Sequence, residues 1–277
     1  MPFTSRGPTR NFALNADGTK RYDHLLKPDL VAPGNRLVSA ESAGARFILQ
    51  HPELHVSGQW RNGLMQMSGT SMATPVVTGA VALLLQKNPG LTPPLIKAIL
   101  QYTAQQVPNA NIAQQGAGLL NIEGAVRLAD ALRRDVTTAT ALGQLRTGDG
   151  LLKSGAQMPV PVSYVNGQAV RWGQYIFAGG SHLLAGQDLF RRYQAIYNPA
   201  LVWVRERVTL NQKPLLSGQL ITAGVINADV IVGNDRIFVR GSRVSGGIAS
   251  GQGVAMAEGV AMAEGVAMAE ACHTGEP

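Results

Sequence analysis

The feature that most constrains this chain is a serine set between a glycine turn and an apolar helix. Ser68-Gly69-Thr70-Ser71-Met72-Ala73-Thr74-Pro75 runs straight into Val76-Val77-Thr78-Gly79-Ala80-Val81-Ala82-Leu83-Leu84-Leu85. Gly69 permits a close backbone approach that a side chain would block. The first turn of a helix leaves backbone N–H groups unpaired, so the Ser71 hydroxyl would stand beside donors able to face a developing oxyanion. Thr74 and Pro75 fall in the first turns, where a missing proline N–H costs least. The run after Pro75 is apolar on all sides, which predicts a central, buried helix. Without chemistry, the same residues would be no more than a small-residue helix start.

Three further stretches stand in order around this one. Lys27-Pro28-Asp29-Leu30-Val31-Ala32-Pro33-Gly34 precedes it, and Gly116-Ala117-Gly118-Leu119-Leu120-Asn121 follows it. Phe3-Thr4-Ser5-Arg6-Gly7-Pro8-Thr9 lies further upstream. Gly69-Thr70-Ser71-Met72-Ala73-Thr74-Pro75 resembles the nucleophile signature of the subtilisin-like serine proteases (peptidase S8), and the flanking stretches resemble that family's segments in identity and order. The resemblance covers roughly the first half of the chain. It implies an α/β fold: the C-terminal part of a subtilisin-like parallel-sheet α/β domain, followed here by a β-rich module. It also implies a serine-type endopeptidase acting on polypeptides through an acyl-enzyme on Ser71, with Thr70 and Gly69 supporting the turn and the oxyanion.

The same resemblance implies what Ser71 needs. A histidine must take its proton and an aspartate must orient that histidine. In the family both lie upstream of the serine, as does the asparagine that supplies a second oxyanion donor. This chain is expected to begin too late to hold them, and the family's His-Gly-Thr context occurs nowhere in it. His24, His51 and His55 read as surface histidines, and His182, in Gly180-Ser181-His182, reads as equally unremarkable. The chain alone is therefore expected to be inactive. A reading from another class is a non-catalytic remnant whose β-rich module serves binding or surface attachment. The family's full-length proteins imply a secreted or cell-envelope location, although Met1-Pro2-Phe3-Thr4-Ser5-Arg6 shows no apolar leader.

Composition narrows the remaining classes. A chain of 277 residues suits one large or two ordinary domains. The formal charge is +7, with 13 basic and 8 acidic residues before Val136 and 11 and 9 from there on. No clustered basic face or aromatic-interleaved motif appears, so nucleic acid is not an expected partner. Arg191-Arg192 and Arg205/Arg207 are the densest spots and read as solvated charges. The longest apolar run falls short of the roughly 20 residues a membrane span needs. Cys272 is the only cysteine, so no intramolecular disulfide is possible. Histidine and cysteine are too few and scattered for a metal constellation, and no cofactor is expected. Calcium sites occur in the family, but none is readable here. The sequence leaves the oligomeric state open.

Periodicity gives the elements. Residues 1–28 read as loop, punctuated by Pro2, Gly7, Pro8, Gly18 and Pro28. Leu30-Val31-Ala32 and Arg36-Leu37-Val38-Ser39-Ala40 read as short buried strands of a parallel sheet. Residues 41–62 read as a long loop with one helical turn near 46–50, and Leu64-Met65-Gln66-Met67 as a strand. A helix over 71–87 ends at Asn88-Pro89-Gly90. Thr92 caps the next, with Pro93 first and Leu95, Ile96, Ile99, Leu100 and Thr103 facing inward. Asn121 caps a third, from 122 to about 134, with Glu123 and Arg133-Arg134 suiting its dipole.

Past Asp135 the composition shifts, dividing the chain into a peptidase-like part (1–135), a β-rich module (136–246) and a tail (247–277). Residues 136–140 read as a linker or first strand. Asn166-Gly167 signals a hairpin between 159–165 and 169–172. Strands are expected over 201–210, 220–226, 230–232 and 237–239, and a helical piece over 185–196. The tail repeats Gly-Val-Ala-Met-Ala-Glu from Gly253, Gly259 and Gly265. A six-residue period suits either stacked β-turns or a low-complexity tail, and the sequence leaves both open.

Overall fold

A computed structural model describes residues 5–58, 62–204, 207–210, 213–214, 226–227, 237–245 and 248–250. Of the strand expected over 220–226 only Ile226 is described, and the strand expected over 230–232, the Gly-Val-Ala-Met-Ala-Glu repeats and Cys272 lie outside the described residues.

In chain order, β1 (Phe12–Leu14) and β2 (Lys20–Tyr22) form a hairpin, followed by β3 (Leu37–Ala40), α1 (Arg46–Gln50), β4 (His55–Ser57), β5 (Leu64–Met67) and α2 (Thr70–Lys87). Next come α3 (Pro93–Thr103), α4 (Ile112–Gln115), α5 (Ile122–Ala131) and α6 (Val136–Ala141). The strands β6 (Val162–Val165), β7 (Gln168–Arg171), β8 (Tyr175–Ala178) and β9 (His182–Ala185) precede α7 (Asp188–Arg191). The last are β10 (Leu201–Val204), β11 (Arg207–Leu210), β12 (Lys213–Pro214), β13 (Ile226–Asn227), β14 (Arg240–Ser245) and β15 (Ile248–Ser250). Two compact units emerge among the described residues: 32–80, and 5–31 with those from 81 onward.

The first unit carries a three-stranded sheet in the order β3-β5-β4, antiparallel throughout. Parallel strands were expected here. The apolar run without alternation suggested them, but β3 and β5 pair Leu37 with Met67 and Ala40 with Leu64, in opposite directions. Among the described residues the sheet pairings are antiparallel, and the parallel contact is one isolated bridge, Val31 with Leu119, in the second unit. Little of the first unit is buried. Val38, Phe47, Leu49, Val56 and Leu64 are all exposed.

Helix α2 also departs from expectation. Ala80 and Leu84 are buried, but Leu83 is 45% and Leu85 39% exposed, and Ala82 is exposed too. An all-round apolar sequence states what surroundings a helix tolerates; whether it finds them depends on what packs there.

The second unit has the core. Leu95, Ile99, Leu128, Leu132, Leu151, Ile176, Leu184, Phe190 and Tyr197 are fully or almost fully buried. Thr92 caps α3, accepting from Leu95 N–H at 3.3 Å, and its hydroxyl also donates to the Tyr197 carbonyl at 2.7 Å. Asn121 caps α5, accepting from Gly124 N–H at 3.0 Å. That helix ends at Ala131, before the expected Arg134. The buried Asn88 side chain donates to the Ala129 carbonyl at 2.9 Å and to those of Leu132 and Arg133 at 3.3 Å, taking over the C-terminal acceptors.

Residues 136–140, read as a linker or first strand, lie in the helix α6. Thr137 fixes it to Gly90, donating from its N–H at 2.8 Å and its hydroxyl at 3.0 Å to that carbonyl, while Val136 is buried. Asn166 (φ 50°) and Gly167 (φ 76°) make the expected tight hairpin between β6 and β7. The helical piece expected over 185–196 is shorter: β9 takes its start, and α7 and a 3-10 turn over Ala195–Tyr197 take the rest. Strand pairing joins β14, β9 and β8, and β10 with β11.

Candidate active site

Helix α2 begins at Thr70, so Ser71 stands at its second residue and is exposed. The turn before it is fastened to the loop after Pro33. Gly69 N–H donates to the Gly34 carbonyl at 2.7 Å. Ser68 Oγ accepts from Arg36 N–H at 2.8 Å and donates to Asn35 Oδ1 at 3.0 Å. Gly34 has to be glycine for this closure: a Cβ there would come within 2.6 Å of the Gly69 carbonyl oxygen and 3.0 Å of Ala73 Cβ. One of the three flanking stretches, ending at Gly34, thus meets the nucleophile stretch for a steric reason.

The helix start leaves donors free. Met72 N–H and Ala73 N–H bond the Gly69 carbonyl at 3.1 and 3.3 Å. The N–H groups of Thr70 and Ser71 have no acceptor among the described residues, and the Ser71 hydroxyl has no hydrogen-bond partner there. A hydroxyl beside two unpaired N–H donors at a helix N-terminus can attack a carbonyl and leave its oxyanion solvated. Thr74 Oγ1 donates to the Thr70 carbonyl at 3.1 Å, and Thr78 Oγ1 to that of Thr74 at 3.2 Å. Pro75 falls within the helix, deeper than its first turn, and withdraws the donor that would reach the Ser71 carbonyl.

None of the described histidines hydrogen-bonds Ser71. His51 Nδ1 meets Glu53 Oε1 at 3.1 Å, and His55 Nδ1 meets Glu41 Oε2 at 2.7 Å; both histidines are exposed. Glu53 is held below the usual carboxylate range by its own backbone N–H and by His51. His24 is exposed and its ring stacks on Tyr22, 5.6 Å between centroids. His182 is buried, with its Nδ1 3.1 Å from Ser181 Oγ. No group of three or more His, Cys, Asp or Glu able to hold a metal ion occurs among the described residues, and no described helix is long and apolar enough to cross a membrane.

Asp29, noted in the sequence only as part of a motif, is a junction in the second unit. Its carboxylate pairs with Lys27 at 2.5 Å and Lys97 at 2.8 Å, and its carbonyl accepts from Ala117 N–H at 3.0 Å. Motif spelling carries no signal for such a role, because Lys97 comes from a distant helix.

The subtilase family profile (peptidase S8) matches residues 1–125. Serine protease AprX of Bacillus subtilis (strain 168) is 36% identical over 124 residues, which make up 45% of this chain and 24% of that protein. Subtilisin-like protease SBT2.6 of Arabidopsis thaliana is 38% identical over 110 residues, 39% of this chain and 12% of that protein. The serine protease/ABC transporter B family protein tagB of Dictyostelium discoideum is 42% identical over 84 residues, 30% of this chain and 4% of that protein. The chain thus spans under a quarter of the length of these relatives. The nucleophile turn, the Gly34 closure and the match to the subtilase family all fall within residues 1–125.

Proposed function

We propose that residues 1–135 form the C-terminal part of a serine endopeptidase domain with Ser71 as nucleophile, active once an Asp- and His-bearing segment completes it. The observation that carries this reading is the exposed Ser71 hydroxyl, without a partner, beside the unpaired N–H groups of Thr70 and Ser71. In the completed site Ser71 Oγ attacks the scissile carbonyl carbon while a histidine takes its proton. The oxyanion accepts from the free N–H groups, with Gly69 holding the turn and Thr70 beside it. Collapse expels the amine, which takes the proton back from the imidazolium, and water then hydrolyses the acyl-enzyme. Alone, the hydroxyl stays protonated, since none of the described histidines bonds it.

The exposed apolar side chains of the first unit and of α2 support a missing covering partner. Substrates are polypeptides, and the chemistry requires no cofactor. Residues 136–246 are a β-rich module attached to the peptidase part, and 247–277 are its repeat tail.

A fluorophosphonate probe tests the reading. The 277-residue chain should remain unlabelled. Fusion to a family segment carrying Asp-[Ser/Thr]-Gly and His-Gly-Thr motifs should give labelling that Ser71→Ala abolishes. Labelling of the chain alone would reveal a base within it. A correctly folded fusion that stays unlabelled would favour the non-catalytic reading, with the β-rich module as a binding piece.

A further inference from the structure

The second unit contains a cavity of about 190 Å³ bounded by α3, β8 and β10. Its walls are mostly apolar, with Ile176, Phe177, Ile196 and Leu201 among its lining. A comparable cavity in another protein, about 150 Å³, takes a benzene ring, so the space here fits one ring or one branched side chain. Three described residues bring polar side chains to the lining: Lys97, Gln101 and Trp203.

These three are unequally occupied. Gln101 is used up: its Nε2 donates to Asp29 Oδ1 at 3.3 Å and to the Asp29 carbonyl at 3.4 Å, and its Oε1 accepts from Phe177 N–H at 3.0 Å. Trp203 Nε1 is buried and has no hydrogen-bond partner among the described residues. An indole N–H only donates, so whatever satisfies it must bring an acceptor. Lys97 is half-exposed and pairs with Asp29 at 2.8 Å, but Lys27 holds the same carboxylate at 2.5 Å. Two ammonium groups on one carboxylate leave a surplus positive charge. Burial works to raise the Asp29 pKa, but Lys97 and Lys27 together outweigh it and keep the group ionised. The side-chain groups left to meet a ligand are donors and positive charge.

We infer that this cavity binds a small carboxylate with an apolar body, whose oxygen accepts the Trp203 indole N–H and offsets the surplus charge at Lys97. The apolar body, one ring or one branched chain, fills the space against Ile176 and Phe177. A cation or a neutral donor finds no free side-chain acceptor among the described lining residues. The inference is independent of Ser71.

The test uses the full chain labelled with ¹⁵N-tryptophan, the Trp203 signal being identified by its loss in Trp203→Phe. Phenylacetate and 4-methylpentanoate should shift that signal saturably, with a Kd of about 1 mM or tighter. Neutral phenylacetamide should bind about tenfold more weakly. By calorimetry, Lys97→Met should weaken phenylacetate about tenfold, with an unchanged thermal melt as the check on folding. Tripeptides ending in leucine, with free or amidated C-termini, distinguish the source: binding of the free terminus alone would extend the ligand class to chain ends, and failure of both would restrict it to free acids. Ser71→Ala should leave binding intact. No saturable shift with either acid, equal binding of the amide, or no effect of Lys97→Met would overturn the inference.

Discussion

Gly34 lacks a side chain because the nucleophile turn closes onto it. Replacing it with alanine sets a Cβ against the Gly69 carbonyl at 2.6 Å and Ala73 at 3.0 Å, so the turn must move. In the chain as it stands, Gly34→Ala should speed amide exchange at Gly69, whose N–H is held by the Gly34 carbonyl. In the completed enzyme it should lower kcat by about 100-fold with a smaller change in KM, since a shift near 1 Å at a nucleophile costs that much. Unchanged exchange and turnover would mean the turn relaxes freely. The letters of the motif were legible in the sequence, as was the serine. The reason for Gly34 was not, because it lies in a contact across more than thirty residues.

Between elements, a single hydroxyl ties the β6–β7 hairpin to the start of α5, beside the bond that Arg127 of α5 donates to the Val162 carbonyl. The buried Ser163 Oγ accepts from Asn121 Nδ2 and from Trp172 Nε1, both at 2.9 Å. Gly124 makes room for the indole; a Cβ there would lie 2.7 Å from Trp172 Nε1. Ser163→Ala leaves two buried donors without an acceptor and should destabilise the unit by about 3 kcal/mol, read by urea denaturation. Gly124→Ala gains helix propensity of about 1 kcal/mol but should still destabilise, because the Trp172 ring must be displaced. A stabilised Gly124→Ala variant would show that the ring has space to retreat. The cap at Asn121 and the turn at Asn166-Gly167 could be read locally, whereas the three-way bond at Ser163 required the packed elements.

Across the whole molecule, the apolar burial is uneven. The second unit holds the large buried side chains, while in the first the buried described residues are Gly34, Gly63 and Ala80. Hydrogen exchange should therefore find the β3-β5-β4 amides markedly less protected than those of α3 and α5. Comparable protection would mean a partner covers the first unit in solution, which sedimentation would detect as an oligomer. The second unit should also respond to alkali. Burial pushes Tyr102 and Tyr175 up to about 12, the former against a weaker opposing pull from Arg191 and the latter against Gln106. A raised folded-state pKa gives stability that is complete below the unfolded value, about 10, and is lost as pH rises towards 12. Thermal melts should fall over that window, and Tyr102→Phe, which removes one of the buried phenols, should flatten the fall.

The sequence by itself determined what a few adjacent residues decide: the serine at a helix start, the caps at Thr92 and Asn121, the Asn166-Gly167 hairpin and the short helix at Arg46–Gln50. Each is set by hydrogen bonds or dihedral preferences within about four residues. The tertiary structure alone decided the antiparallel pairing of β3 with β5, the exposure of α2, the helix at Val136–Ala141 and the two lysines on Asp29. Strand direction and burial depend on which distant segment arrives alongside, and no local pattern of apolar residues encodes that partner.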